Sequence, residues 1–115
     1  MGKMKNSYFS KWVLQRLTAA FLIPLSFWFI YQCISFQFLN YNQILFFFKS
    51  YINSILFFIM MINILVHAKL GCDTIVIDYV SSKKIQKHIL NLIYLLTLAL
   101  FFLMVFALIK LKYIL

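Results

Sequence analysis

The residues able to do chemistry in this 115-residue chain gather in one stretch, HAKLGCDTIVIDYV at 67–80. It holds His67, Gly71, Tyr79 and both acidic residues of the chain, Asp73 and Asp78. A neutral imidazole ligates metals or carries protons. A phenol donates a hydrogen bond to a carbonyl, and an ionised carboxylate accepts one.

Gly71 follows His67 by one turn and shares its helix face. A glycine beside a histidine leaves room for a flat, bulky group such as a porphyrin to approach the backbone. The competing reading of His67 is a histidine hydrogen-bonded between helices or wetted at a membrane surface. If the helix continues, Asp78, eleven residues on, returns to the same face ~16 Å further along, a workable distance between a buried cofactor and an interfacial site. Tyr79 is either a donor to a bound carbonyl or a tyrosine at headgroup level beside a solvated aspartate. Asp73 is spaced to pair with Lys69 at i,i+4 and is read as structural.

Outside this stretch, Arg16 is the only arginine among ten lysines. It is suited to bidentate recognition of a carboxylate or propionate, or to ordinary anchoring at the membrane surface. His88, next to Lys87, is read as an interfacial histidine; at the depth of His67 it would offer a second axial ligand from the same chain.

These residues need elements to hold them, and the composition says which. The chain is 65% hydrophobic and 11% charged, too little polar surface to cover a soluble core. It is a membrane protein. The net charge of +9 resides in short groups between apolar runs and forms no basic face, which excludes nucleic-acid binding and points to topology signals and lipid headgroups. Cys33 and Cys72 have neither disulfide nor zinc-site spacing.

The uncharged run from Arg16 to Lys49 spans 32 residues, ~48 Å as a helix against a hydrocarbon core of ~30 Å. It must contain a span and a turn, and NYNQ at 40–43 marks the turn. The expected fold is all-α, one domain over 1–115, with spans at about 17–38, 50–70 and 89–109. The run ILFFF at 44–48 either starts the second helix early or lies in the interface. Pro24 is tolerated inside a span. No small-residue cleavage site follows the basic N-terminal segment, so the first span is expected to remain.

Three spans put Lys3, Lys5, Lys11, Arg16, Lys69, Lys83, Lys84 and Lys87 on one side, and Lys49, Lys110 and Lys112 on the other. The positive-inside rule then turns the N-terminus to the cytoplasm or matrix. Tyr8, Trp12 and Tyr113 suit the aromatic belts. Half of the chain is Phe, Tyr, Met, Ile, Asn or Lys, the usage of an AT-rich genome. The expected compartment is the mitochondrial inner membrane, with an organelle-encoded chain; the alternative is a bacterial inner membrane.

Taken together, WVLQRLTAAFLIPL at 12–25 and HAKLGCDTIVIDYV at 67–80 resemble the small membrane-anchor subunit of succinate dehydrogenase, respiratory complex II. That family has three spans, a Gln-Arg-x-Thr-Ala or Arg-x-Thr-Ala start to the first, and a His-x3-Gly-x6-Asp-Tyr pattern running out of the second. The resemblance implies that the chain is half of a heterodimeric anchor bundle. It implies His67 as axial ligand to the iron of a haem b shared with the larger anchor subunit, Gly71 beside it, and Arg16 on a haem propionate. Tyr79 would donate to a ubiquinone carbonyl, with Asp78 shaping that site or its proton supply.

The implied partners are the larger cytochrome b anchor, an iron-sulfur subunit, a flavoprotein subunit and membrane lipids. The chain would take part in succinate:ubiquinone oxidoreduction as an electron-transport subunit that carries no succinate chemistry itself. The competing functions are an anchor of a quinol:fumarate reductase and a cofactor-free structural subunit of another respiratory complex.

Overall fold

In hydrocarbon a backbone must satisfy its own N–H and C=O groups, and helices do so within one segment. The computed structural model describes residues 2–114 of the chain, and the side chains of residues 7–113. Helix α1 runs over Gly2–Phe36, α2 over Tyr41–Lys49, α3 over Tyr51–Tyr79 and α4 over Lys83–Ile114. Three of them are long and apolar enough to cross a membrane, over Ser7–Phe36, Tyr51–Tyr79 and Lys83–Tyr113. No strand occurs among the described residues.

Helix α1 continues through Pro24 and stops at Phe36, two residues before the expected end of the first span. The chain tightens there through Gln37 N–H to the Ile34 carbonyl at 3.3 Å and Phe38 N–H to Ser35 at 3.1 Å. Asn40 then starts α2 with a capping box. Its side chain accepts from Gln43 N–H at 2.9 Å, and its own N–H donates to Gln43 Oε1 at 2.9 Å, so each satisfies a donor the helix end leaves open.

The ILFFF run thus belongs to a separate short helix. Leu45 and Phe48 are buried on it, within an aromatic cluster where Phe36 and Phe47 lie 5.0 Å apart, and Phe48 and Phe57 5.3 Å apart, both edge to face. The helical path breaks at Ser50, with φ −66° and ψ 127°. Side chains of α3 satisfy the carbonyls left at the break: Ser54 Oγ donates to Phe48 O at 2.7 Å and Asn53 Nδ2 to Phe47 O at 3.1 Å.

Helix α3 is central, packed against α1, α2 and α4, whereas α1 and α4 form no comparable interface. The long axis of 53 Å exceeds the ~30 Å hydrocarbon core, so helical ends extend into the interfaces. The pairing is antiparallel. At one end the Lys112 ammonium sits 3.5 Å from the Tyr51 ring centre; at the other Gln86 Nε2 donates to Ile77 O at 3.2 Å. Most of the apolar surface is uncovered: only Leu45, Phe48 and Met60 are buried apolar residues among those described. Such exposure suits lipid and partner helices rather than water.

Candidate functional site

Where α1 and α3 pass each other near the end carrying Lys11, Arg16 and Lys69, they leave a groove of about 880 Å³. Its floor follows the antiparallel register, with Thr18 opposite His67 and Gln15 opposite Gly71. His67, Gly71, Asp73 and Asp78 line it from α3, and Trp12, Gln15 and Arg16 from α1. The helix does continue to Tyr79, so the eleven-residue spacing returns Asp78 to the face of His67, and both border the same groove.

The His67 ring is fixed on one side only. Its Nδ1 lies 3.2 Å from Thr18 Oγ1 on the facing helix, which realises the interhelical hydrogen bond considered from sequence. Its Nε2 makes no hydrogen bond among the described residues. Thr18 is buried and is itself held by its own helix, with Oγ1 2.8 Å from Leu14 O and 3.1 Å from Gln15 O.

Around the ring the groove is apolar with charges at one end. Trp12 forms part of the wall, and the Arg16 guanidinium carbon stands 5.5 Å from its ring centre. Arg16 is exposed and in no ion pair among the described residues. Lys69 Nζ donates to Asp73 Oδ2 at 2.6 Å, the i,i+4 pair expected from sequence. Asp73 is only 7% exposed. Its second oxygen, like Gln15 Oε1, is buried without a hydrogen-bond partner among the described residues. Such acceptors are costly to leave empty, so both suit a donor brought by a ligand, water or partner chain.

Gly71 has a direct test in the packing. A Cβ added there meets Gln15 Nε2 at 3.5 Å, an ordinary contact. The chain's own packing therefore does not demand glycine.

Two sequence candidates stand apart. Tyr79, at the end of α3, is 84% exposed and does not line the groove. His88 is exposed on α4 and absent from the lining. The α3–α4 register set by Gln86 at Ile77 puts His88 level with about residue 75, ~12 Å along the axis from His67 at 1.5 Å per residue. His88 therefore does not reach the depth of His67, and the chain does not bring the two rings together.

Thr18 and Gln15 carry structural weight that their sequence context did not reveal. Both stand in the Gln-Arg-x-Thr-Ala motif around Arg16, which marked them without assigning a partner; the contact of Thr18 with His67 joins residues 49 apart.

An imidazole with one nitrogen anchored and, among the described residues, the other without a partner, a glycine one turn away, an aromatic wall and Arg16 in no ion pair among the described residues suit a planar apolar ligand with anionic groups. The family described as succinate dehydrogenase/fumarate reductase transmembrane subunit matches residues 3–108. The succinate dehydrogenase hydrophobic membrane anchor subunit of Rickettsia bellii is 33% identical over 112 residues, covering 90% of this chain and 90% of its own length. The protein of the same description from Rickettsia prowazekii is 33% identical over 96 residues, with 79% and 77% covered. No solved structure matches the chain.

Proposed function

From the premise that this chain belongs to the succinate dehydrogenase/fumarate reductase transmembrane subunits, we propose that it anchors a succinate:ubiquinone oxidoreductase and helps to hold haem b and ubiquinone. The observation that carries the reading is His67: Nδ1 is tied to Thr18 while Nε2 is uncommitted in a groove. A histidine that ligates a metal through one nitrogen ordinarily has the other held by a hydrogen bond.

Other features fit a haem. Gly71 is not needed by internal packing, which leaves its face free for a ring edge. Arg16 has no carboxylate partner among the described residues and suits a propionate. When bound, haem b supplies one-electron redox chemistry tuned by its ligands and surroundings. His67 would be its ligand from this chain, and the second would come from the larger anchor subunit, since His88 is at another level.

The residues of this chain have separate tasks at the quinone. Tyr79, exposed at the wet end of α3, donates its phenol proton in a hydrogen bond to a quinone carbonyl held between this chain and its partners. Asp78, one residue before it and also exposed, exchanges protons with the aqueous phase. Quinone reduction consumes two electrons and two protons, so a phenol and a carboxylate at the membrane boundary match its chemistry. Succinate oxidation belongs to the flavoprotein and iron-sulfur subunits, which dock on the end of the helices that carries the basic residues.

The positive-inside asymmetry directs that end to the cytoplasm or matrix. The Rickettsia relatives favour a bacterial inner membrane over the mitochondrial one suggested by residue usage. Their names also favour succinate dehydrogenase over the fumarate reductase that the family equally covers.

Purification from membranes in mild detergent tests the whole reading. A flavoprotein, an iron-sulfur protein and a second anchor should accompany this chain, with a haem b band in the reduced-minus-oxidised spectrum that disappears in His67→Ala. A complex without that band sinks the haem role and leaves only the anchor.

A further inference from the structure

We propose that Thr18 is the positioning residue for His67: it accepts the Nδ1–H and thereby fixes the imidazole in the tautomer whose lone pair is on Nε2. The proposal rests on the reading of His67 as a haem ligand.

The hydroxyl has one proton and two acceptor sites. Leu14 O, at 2.8 Å, and Gln15 O, at 3.1 Å, are both nearer to Oγ1 than His67 Nδ1 is, at 3.2 Å. A threonine inside a helix commonly donates to the carbonyl one turn back, and the shortest contact here is that one. With its proton committed to its own helix, Oγ1 can meet His67 only as an acceptor. Nδ1 must then carry the ring proton, and Nε2 is left unprotonated.

Burial makes the choice firm. Thr18 is 6% exposed, so water does not compete for its lone pair. The β-branched side chain has little rotamer freedom in a helix, and the backbone bonds hold it further. The result is a fixed acceptor on α1 that sets the rotation of a ring on α3, and with it the direction of the nitrogen presented to the groove. An acceptor on the far ring nitrogen also raises the basicity of the ligating one. Thr18 is absent from the groove lining, so it would act on a bound haem only through His67.

The test uses the assembled complex with Thr18→Val, which keeps the shape and removes the acceptor, and Thr18→Ser, which keeps the hydroxyl. The readouts are haem per flavin and the haem midpoint potential by redox titration. Thr18→Val should weaken haem retention about 10- to 100-fold, the usual effect of losing a hydrogen bond behind a metal ligand, and what haem remains should titrate at a higher potential. Thr18→Ser should restore both.

If Thr18→Val does not assemble, Thr18→Cys, a weak acceptor, replaces it and should show the same direction of change. Haem content and potential equal to the parent complex in the acceptor-free variant overturn the role of Thr18 alone. A parent complex without haem b, or a His67→Ala complex that retains it, overturns the ligand assignment and the positioning role with it.

Discussion

Gly71 separates what the chain needs for its own fold from what the proposed haem would need. A Cβ there meets Gln15 Nε2 at 3.5 Å, the mobile end of a side chain, so Gly71→Ala costs the isolated chain no packing. Replacing glycine in a helix adds at most about 1 kcal/mol of helix propensity. A ring lying over this face feels the substitution differently, because overfilling a packed site costs about 1–3 kcal/mol. At 1.4 kcal/mol per factor of ten, that is a roughly 5- to 140-fold loss of haem affinity, with Gly71→Leu toward the upper end and Gly71→Ala toward the lower.

The assay is haem per flavin in the purified complex, beside its thermal unfolding. The expected pattern is unfolding unchanged or slightly later for Gly71→Ala, with haem reduced, and a deeper haem deficit for Gly71→Leu. A Gly71→Leu complex with its full complement of haem refutes the reasoning. So does a Gly71→Ala complex whose stability and haem fall together, which would mean that the glycine serves helix packing.

Other substitutions address the remaining residues. Tyr79→Phe should lower quinone reductase turnover while leaving the haem spectrum intact; unchanged turnover removes Tyr79 from the quinone site. His88→Gln should retain haem b, and its loss would contradict the level assigned to His88 on α4. Asp73→Asn leaves Lys69 without its counter-charge and should lower stability by about 1.5–3 kcal/mol, the range for hydrogen bonds to charged groups. Asp78→Asn, at an exposed position, should stay within about 0.5 kcal/mol of the parent. Thermal unfolding of the two side by side checks this, and equal losses would show that burial of Asp73 does not matter.

The three-span fold was legible because ionised groups are expensive in hydrocarbon, so the charges of this chain fall where the membrane ends. The 32 uncharged residues between Arg16 and Lys49 already required a turn, and Asn40 with Gln43 forms the capping box there. The start of the second span near residue 50 was expected and α3 begins at Tyr51, but whether ILFFF joins it was not legible. ILFFF and the residues after it are both good helix, and what separates them is tertiary: Phe47 and Phe48 pack on Phe36 and Phe57 while Asn53 and Ser54 bind the carbonyls at the break. The partner of Thr18 was hidden for a related reason. The contact of Thr18 with His67 depends on how two helices slide past one another, which no local pattern specifies.

The separation of His67 from Tyr79 was within reach of helix arithmetic, and it bears on the mechanism. At 3.6 residues per turn each step rotates about 100°. Eleven steps bring Asp78 to within about 20° of His67, and the twelfth carries Tyr79 some 120° away. Asp78 accordingly lines the groove with His67, while Tyr79 is 84% exposed outside it. If His67 serves a haem and Tyr79 a quinone, the two ligands lie against different faces of α3. The groove between α1 and α3 would hold one, and the face bearing Tyr79 would complete the other site only with a partner subunit. Substitutions at Gly71 and Thr18 should then change haem with little direct effect on quinone affinity, and Tyr79→Phe should do the reverse. Asp78 is the one residue placed to influence both, since it shares the groove with His67 and adjoins Tyr79 in sequence. A double substitution at Thr18 and Tyr79 should therefore give additive losses, as expected for residues that share no partner. Strong coupling between the two would mean that a single ligand touches both faces.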